Sequence, residues 1–89
     1  MYQVKVSETF QKQYNNENKK LQKRIKDKLE YLKADPFTPR SGADILPVKG
    51  TKPQKYRLRV GDYRIIYSVR EDIVEVIEMF PRGKGYSEQ

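Results

Sequence analysis

From Tyr56 to Val60 the side chains alternate between apolar and cationic, Gly61-Asp62 interrupts, and Tyr63-Arg64-Ile65 resumes the alternation before the apolar Ile66 and Tyr67. A period of two is the signature of a strand, and a two-residue break led by glycine is the signature of a tight hairpin whose first turn position needs a positive φ. The run therefore predicts an antiparallel hairpin with a type II′ turn. Its register follows from the turn. Val60 faces Tyr63, Arg59 faces Arg64, Leu58 faces Ile65, and Arg57 faces Ile66. Tyr56, Leu58, Val60, Tyr63, Ile65 and Tyr67 then share the face suited to a core, while Arg57, Arg59 and Arg64 share the other with Ile66 and Ser68.

That second face is costly. Like charges directly opposite one another weaken a strand pair, and folding does not call for three arginines there. An anion held between them relieves the repulsion, and guanidinium groups match phosphate in bidentate geometry. The competing reading has the arginines splayed into solvent or paired with acids such as Glu75 or Glu78.

Composition narrows the partners. Nineteen Lys and Arg against twelve Asp and Glu give a net charge of +7 in 89 residues, which favours a polyanion. There is no cysteine and no histidine. Disulfides, thiol catalysis, the usual general base and the usual zinc ligand are thereby excluded, and no metal site or cofactor is expected. The N-terminus shows no signal-peptide pattern and no apolar run reaches bilayer length, so a cytoplasmic protein with no membrane association is expected.

The rest of the chain reads as one domain over residues 1–89. Tyr2 to Val6 alternates as a short strand. Ser7 is placed as a helix N-cap with Glu8 in the first turn, and Asn15-Asn16 marks a break between two helices. Leu21, Ile25, Leu29 and Leu32 then form one helical stripe opposite a charged face that reads as solvated. Asp35-Pro36 and Thr38-Pro39 punctuate a loop. Ala43 to Val48 carries Pro47 and is at most an edge strand. Lys52 sits in a basic turn before the hairpin. After a turn near Arg70 to Asp72, Ile73 to Phe80 forms the last strand, and the tail continues as Pro81-Arg82-Gly83-Lys84-Gly85-Tyr86. The expected fold class is α+β: an N-terminal strand, a helical hairpin, and a three-stranded antiparallel meander forming one mostly antiparallel sheet.

With these residues in view, the chain resembles the RelE/ParE toxin superfamily, and more closely its RelE branch, over nearly its whole length. The stretch Lys49-Gly50 followed by Tyr56-Arg57-Leu58-Arg59-Val60-Gly61-Asp62-Tyr63-Arg64-Ile65-Ile66-Tyr67 is similar to a run typical of that superfamily. Arg82 followed by Tyr86 resembles the arginine and tyrosine of RelE-like nucleases. The resemblance implies a RelE-like (microbial RNase-like) fold and a toxin that enters the ribosomal A site and cuts mRNA without a metal. It also implies a cognate antitoxin, with the ribosome and mRNA as further partners. In that reaction a ribose 2′-hydroxyl attacks the adjacent phosphate, leaving a 2′,3′-cyclic phosphate and a 5′-hydroxyl.

Carried onto this chain, the catalytic residues are Arg64, Arg82, Tyr86 and Arg59, with Arg57, Lys52 and Lys84 binding RNA phosphates. Arg64, with Arg57 and Arg59, stabilises charge on the phosphorane. Arginine stays protonated and is a poor base, so Tyr86, held among cations, orients or deprotonates the 2′-hydroxyl, and Arg82 contacts the leaving side or binds phosphate. One departure bears on this: RelE nucleases often carry lysine where this chain has Arg57 and Arg59. The rival readings are a ParE-like poison of DNA gyrase, against which Arg82 and Tyr86 count, and a nucleic-acid-binding module without chemistry.

Overall fold

Residues 1–83 are described by a computed structural model, in which two helices cover one face of a five-stranded sheet. The elements run β1 (Gln3–Val6), α1 (Glu8–Asn15), α2 (Lys19–Ala34), β2 (Asp44–Val48), β3 (Lys55–Val60), β4 (Tyr63–Arg70) and β5 (Ile73–Pro81). Strand order is β1-β5-β4-β3-β2. The strands β2 to β5 form an antiparallel meander, and β1 closes the far side by pairing parallel to β5. The segment with Pro47, expected to be an edge strand at most, is a full edge strand that extends the meander from three strands to four. Pro47 is tolerated there because an edge strand has one side with no ladder to complete.

The helices start where the sequence supplies caps. Ser7 Oγ accepts from Phe10 N at 3.0 Å to open α1, and Asn18 Oδ1 accepts from Leu21 N at 2.8 Å to open α2. The α2 sequence is rich in Lys, Leu, Arg, Gln and Glu, all strong helix formers. Its stripe lays Ile25 and Leu32 fully into the core, with Leu21 and Leu29 half-buried beside them. Across from them stand Leu58, Val60, Ile65, Tyr67, Val74, Val76 and Met79. The Tyr67 hydroxyl donates to Pro36 O at 2.7 Å and pins the loop after α2 to the sheet.

The strand β5 carries the one irregularity. Tyr67 pairs with Val76 but Ile66 pairs with Glu78, so Ile77 is an extra residue. This β-bulge reverses the phase of the strand. Val74 and Val76 point to the core before it and Met79 after it, which sends Glu78 and Phe80 to the opposite face. Beyond β1 the free side of β5 is covered by α1. Ser7 N donates to Val76 O at 2.9 Å, and Gln13 Oε1 accepts from Met79 N at 2.7 Å. Backbone groups that would be an open edge are thereby satisfied. No helix among the described residues is long and apolar enough to cross a membrane.

Candidate nucleic-acid interface

The hairpin register matches the one read from its turn, pair for pair from Val60↔Tyr63 through Arg57↔Ile66. Gly61 has φ of 57°, and Asp62 is not in the positive-φ region, as a type II′ turn requires. Arg59 and Arg64 therefore stand directly opposite each other on the face turned away from the helices. On the next strand Arg64 pairs with Phe80, so the bulge in β5 brings an aromatic ring to the arginine face. Arg82 follows two residues later, and its backbone N donates to Asp62 O at 2.6 Å. The end of β5 is thus tied to the hairpin turn.

The arginines are not equivalent. Arg57 Nη2 lies 2.9 Å from Asp44 Oδ1, its side chain is only 18% exposed, and its Nε is buried without an acceptor. Asp44 pairs in register with Arg59, yet its carboxylate goes to Arg57. Of the two acids suggested by the sequence, Glu75 sits instead 3.7 Å from Arg70. Among the described residues no acid lies within ion-pair distance of Arg59, Arg64 or Arg82. Arg59 and Arg82 are exposed and Arg64 half-buried.

Below them is a depression of ≈ 230 Å³ lined by Leu46, Pro47, Val48, Arg57, Arg64, Ile66 and Phe80. Ile66 forms part of its floor and is 1% exposed, although it belongs to the arginine face. The arrangement offers apolar surface beside two guanidinium groups, which suits a base and its phosphate. Lys52 is exposed at the opposite end of β3 from the Gly61-Asp62 turn, three residues before the strand begins, so the fold does not place it with Arg59 and Arg64. Lys84 and Tyr86 lie outside the described residues. Among those described, no group of three or more His, Cys, Asp or Glu side chains comes together in a way that would hold a metal.

Two tyrosines border this region from the core side. Burial, and then the neighbouring Tyr56, push the Tyr67 phenol well above the ordinary range. Tyr63, at the base of the turn, is raised by desolvation and by the Glu17 carboxylate. Both remain neutral phenols at physiological pH, and neither is a ready base.

Sequence reasoning misses Arg24. Its position on α2 reads as part of the solvated face, but a Cβ at Gly61 would meet Arg24 Nη1 at 3.0 Å and both Cζ and Nη2 at 3.3 Å. The approach joins residues 37 positions apart and leaves no local pattern.

The fold agrees with that of known proteins. The sequence profile of the family described as "ParE toxin of type II toxin-antitoxin system, parDE" matches residues 4–86. A chain of the archaeal RelE–RelB complex from Pyrococcus horikoshii OT3 superposes with a TM-score of 0.80 at 31% identity, covering 94% of this chain and 98% of that one. A chain of the RelB–RelE antitoxin–toxin complex from Methanococcus jannaschii gives 0.70 at 28% identity, with 85% and 87% covered. The isolated E. coli RelE toxin shares the fold, with a TM-score of 0.76 at 18% identity over 99% of this chain and 92% of that one. No curated protein sequence matches significantly.

Proposed function

The chain belongs to the RelE/ParE superfamily of toxins from type II toxin–antitoxin systems, and from that premise we propose that it is a ribosome-dependent, metal-independent endoribonuclease acting on mRNA in the cytoplasm. The observation that carries the reading is the Arg59–Arg64 pair, set face to face across a strand pair with no acid among the described residues to neutralise either one. Such an arrangement costs stability. It is accounted for by an anion that arrives between the two side chains, and a phosphate is the anion guanidinium groups fit best.

In the proposed reaction the 2′-hydroxyl oxygen attacks phosphorus, the bond from phosphorus to O5′ breaks, and the products are a 2′,3′-cyclic phosphate and a 5′-hydroxyl. Arg64 and Arg59 hold the phosphoryl oxygens and stabilise the charge that builds on them. Arg82, tied at the turn, stands on the leaving side or grips the next phosphate. Arg57 is committed to Asp44, so its part is to wall the depression and hold the nucleotide in place. The 2′-hydroxyl must give up a proton and O5′ must gain one. Tyr86 is the residue proposed for the first transfer, and Lys84 and Lys52 for phosphate binding. Proton transfer is the poorer half of the site, because it holds more cations than bases; positioning by the ribosome supplies the remainder. The solved relatives from P. horikoshii and M. jannaschii are complexes with RelB, which supports a cognate antitoxin as partner here.

The second reading is a poison of DNA gyrase, favoured by the ParE description of the matching family. Primer extension on mRNA from cells expressing the toxin separates the two. Cuts inside codons of translated messages are expected, and they should vanish in Arg64→Ala. Intact mRNA together with trapped gyrase–DNA complexes would overturn the nuclease reading.

A further inference from the structure

Four arginines, from β3, β4, α2 and the residue just after β5, converge on the two-residue turn Gly61-Asp62. Arg59 precedes it by two positions on β3 and Arg64 follows it by two on β4. Arg82, one residue beyond β5, is bonded through its backbone N to Asp62 O. Arg24, from α2 on the other side of the sheet, lays its guanidinium against Gly61. Glycine is required there twice over: for its φ of 57°, and because a Cβ would meet that guanidinium.

Two carboxylates border the turn. Asp62 is exposed within it, and the Glu17 carboxylate acts on Tyr63. Neither is ion-paired to Arg24 among the described residues, and Arg24 is itself exposed. One helical turn before it stands Lys20, also exposed, and the two flank a depression of ≈ 250 Å³ with Asn18 and Leu21. The i, i+4 spacing sets the two cations about 6 Å apart along the helix axis. Three other cations of α2 are engaged: Lys23 is paired with Asp27, Lys33 with Glu30, and Lys28 donates to Gly42 O.

We propose that Arg24, with Lys20 beside it, binds phosphate and carries the arginine surface around the Gly61-Asp62 turn onto α2, so that an RNA backbone is gripped on both sides of the hairpin tip. This rests on the reading that the arginine face binds RNA, and extends it from one phosphate to several along a strand. An RNA backbone is the occupant because, on the path from Arg64 over the turn to Lys20, the cations have no acid partner among the described residues and outnumber the carboxylates of Asp62 and Glu17. The one apolar member of that path is the half-buried Leu21, and an acidic peptide would need more apolar anchoring than that.

The test uses the whole toxin and a single-stranded RNA oligonucleotide with 2′-O-methyl riboses, which binds but cannot be cut. Affinity is measured over a range of NaCl concentrations. Removal of one cation that neutralises a phosphate makes the logarithmic salt dependence shallower by about 0.7 for a single strand. Arg24→Ala should show that decrease and Arg24→Lys should keep most of the slope. Lys26→Ala is the control, because Lys26 lies by Val6, Phe10 and Leu29 in the groove on another flank of α2. It removes the same net charge and should leave the slope unchanged. Thermal melting checks that all three variants fold.

A wild-type slope in Arg24→Ala overturns the proposal, as does an equal decrease in Lys26→Ala. So does failure of the wild-type toxin to bind the RNA, or an effect of Arg24→Ala on poly-glutamate binding alone. On programmed ribosomes Arg24→Ala should raise KM several-fold with kcat retained, whereas Arg64→Ala should lower kcat. Because binding is read without cleavage, a gyrase target in cells and a failed clamp give different results.

Discussion

The two tight turns of the sheet are built alike and loaded in opposite ways. The first, Gly61-Asp62, joins β3 to β4, and the second, Glu71-Asp72, joins β4 to β5 at the other end. Each places its first residue at φ of 57°. In the first that residue is glycine, which adopts the conformation freely and leaves room for Arg24. In the second it is glutamate, for which the left-handed region costs roughly 1–2 kcal/mol. The charges divide the same way. Arg24, Arg59, Arg64 and Arg82 gather at the glycine end, whereas Glu71, Asp72 and the Arg70–Glu75 pair occupy the other. The acidic end also has a structural duty, since Asp72 O accepts from Gln3 N at 2.8 Å where β1 begins. The backbone strain is local to one end and the charge strain to the other. Only the charge strain can be relieved by a ligand, which is why the function is assigned to the glycine end.

The contrast can be broken in stages. The largest effect is expected from Arg64→Ala, which should reduce ribosome-dependent cleavage by about 10²–10³, the usual loss when one preorganised donor to a developing charge is removed. The fold should be kept. Retention of activity would remove Arg64 from the site. Next is Gly61→Ala, expected to cost about 1–2 kcal/mol in chemical denaturation and to displace Arg24, so that RNA affinity falls with stability. At the opposite turn Glu71→Gly should do the reverse and raise stability by about 0.5–1 kcal/mol without change in toxicity, because relief of the φ penalty exceeds the added chain entropy. If both glycine-related changes move stability in the same direction, the two turns do not carry the strain assigned to them.

A smaller gain, about 0.2–1 kcal/mol, is expected from Arg59→Thr, which removes the like-charge pair with Arg64. Cleavage should fall as the melting temperature rises; a variant that loses both stability and activity would show that Arg59 serves the fold. The smallest effect concerns pH. Tyr63 has a raised pKa in the folded state, so its contribution to stability is present below the ordinary phenol value of 10.0 and is lost as pH rises through the folded value. Tyr63→Phe should flatten that alkaline loss, as measured by denaturant midpoints between neutral and alkaline pH.

Much of this is legible in the sequence because it is local. The alternation around Gly61-Asp62 specifies register, and register puts Arg59 opposite Arg64. The cap at Ser7 and the stripe through Ile25 and Leu32 specify the helices. Pro47 marks an edge strand. Arg57 is less legible. It lies on the expected face, but its partner is Asp44, thirteen residues away on a strand whose register against β3 is set by sheet assembly. The bulge at Ile77 leaves a faint trace in the apolar doublets Val76-Ile77 and Met79-Phe80, which break the alternation without saying which residue is extra.

Sequence alone therefore determined the elements, the hairpin and the cationic face, since periodicity, capping and turn chemistry act between near neighbours. The tertiary structure decided that Arg57 is neutralised by Asp44 while Arg59, Arg64 and Arg82 meet no acid among the described residues. It also decided that β1 runs parallel to β5, that the bulge turns Phe80 toward Arg64, and that Arg24 reaches the glycine turn from the far side of the sheet. Those outcomes depend on which surfaces meet when helices and strands pack, and contacts between distant residues carry no period along the chain.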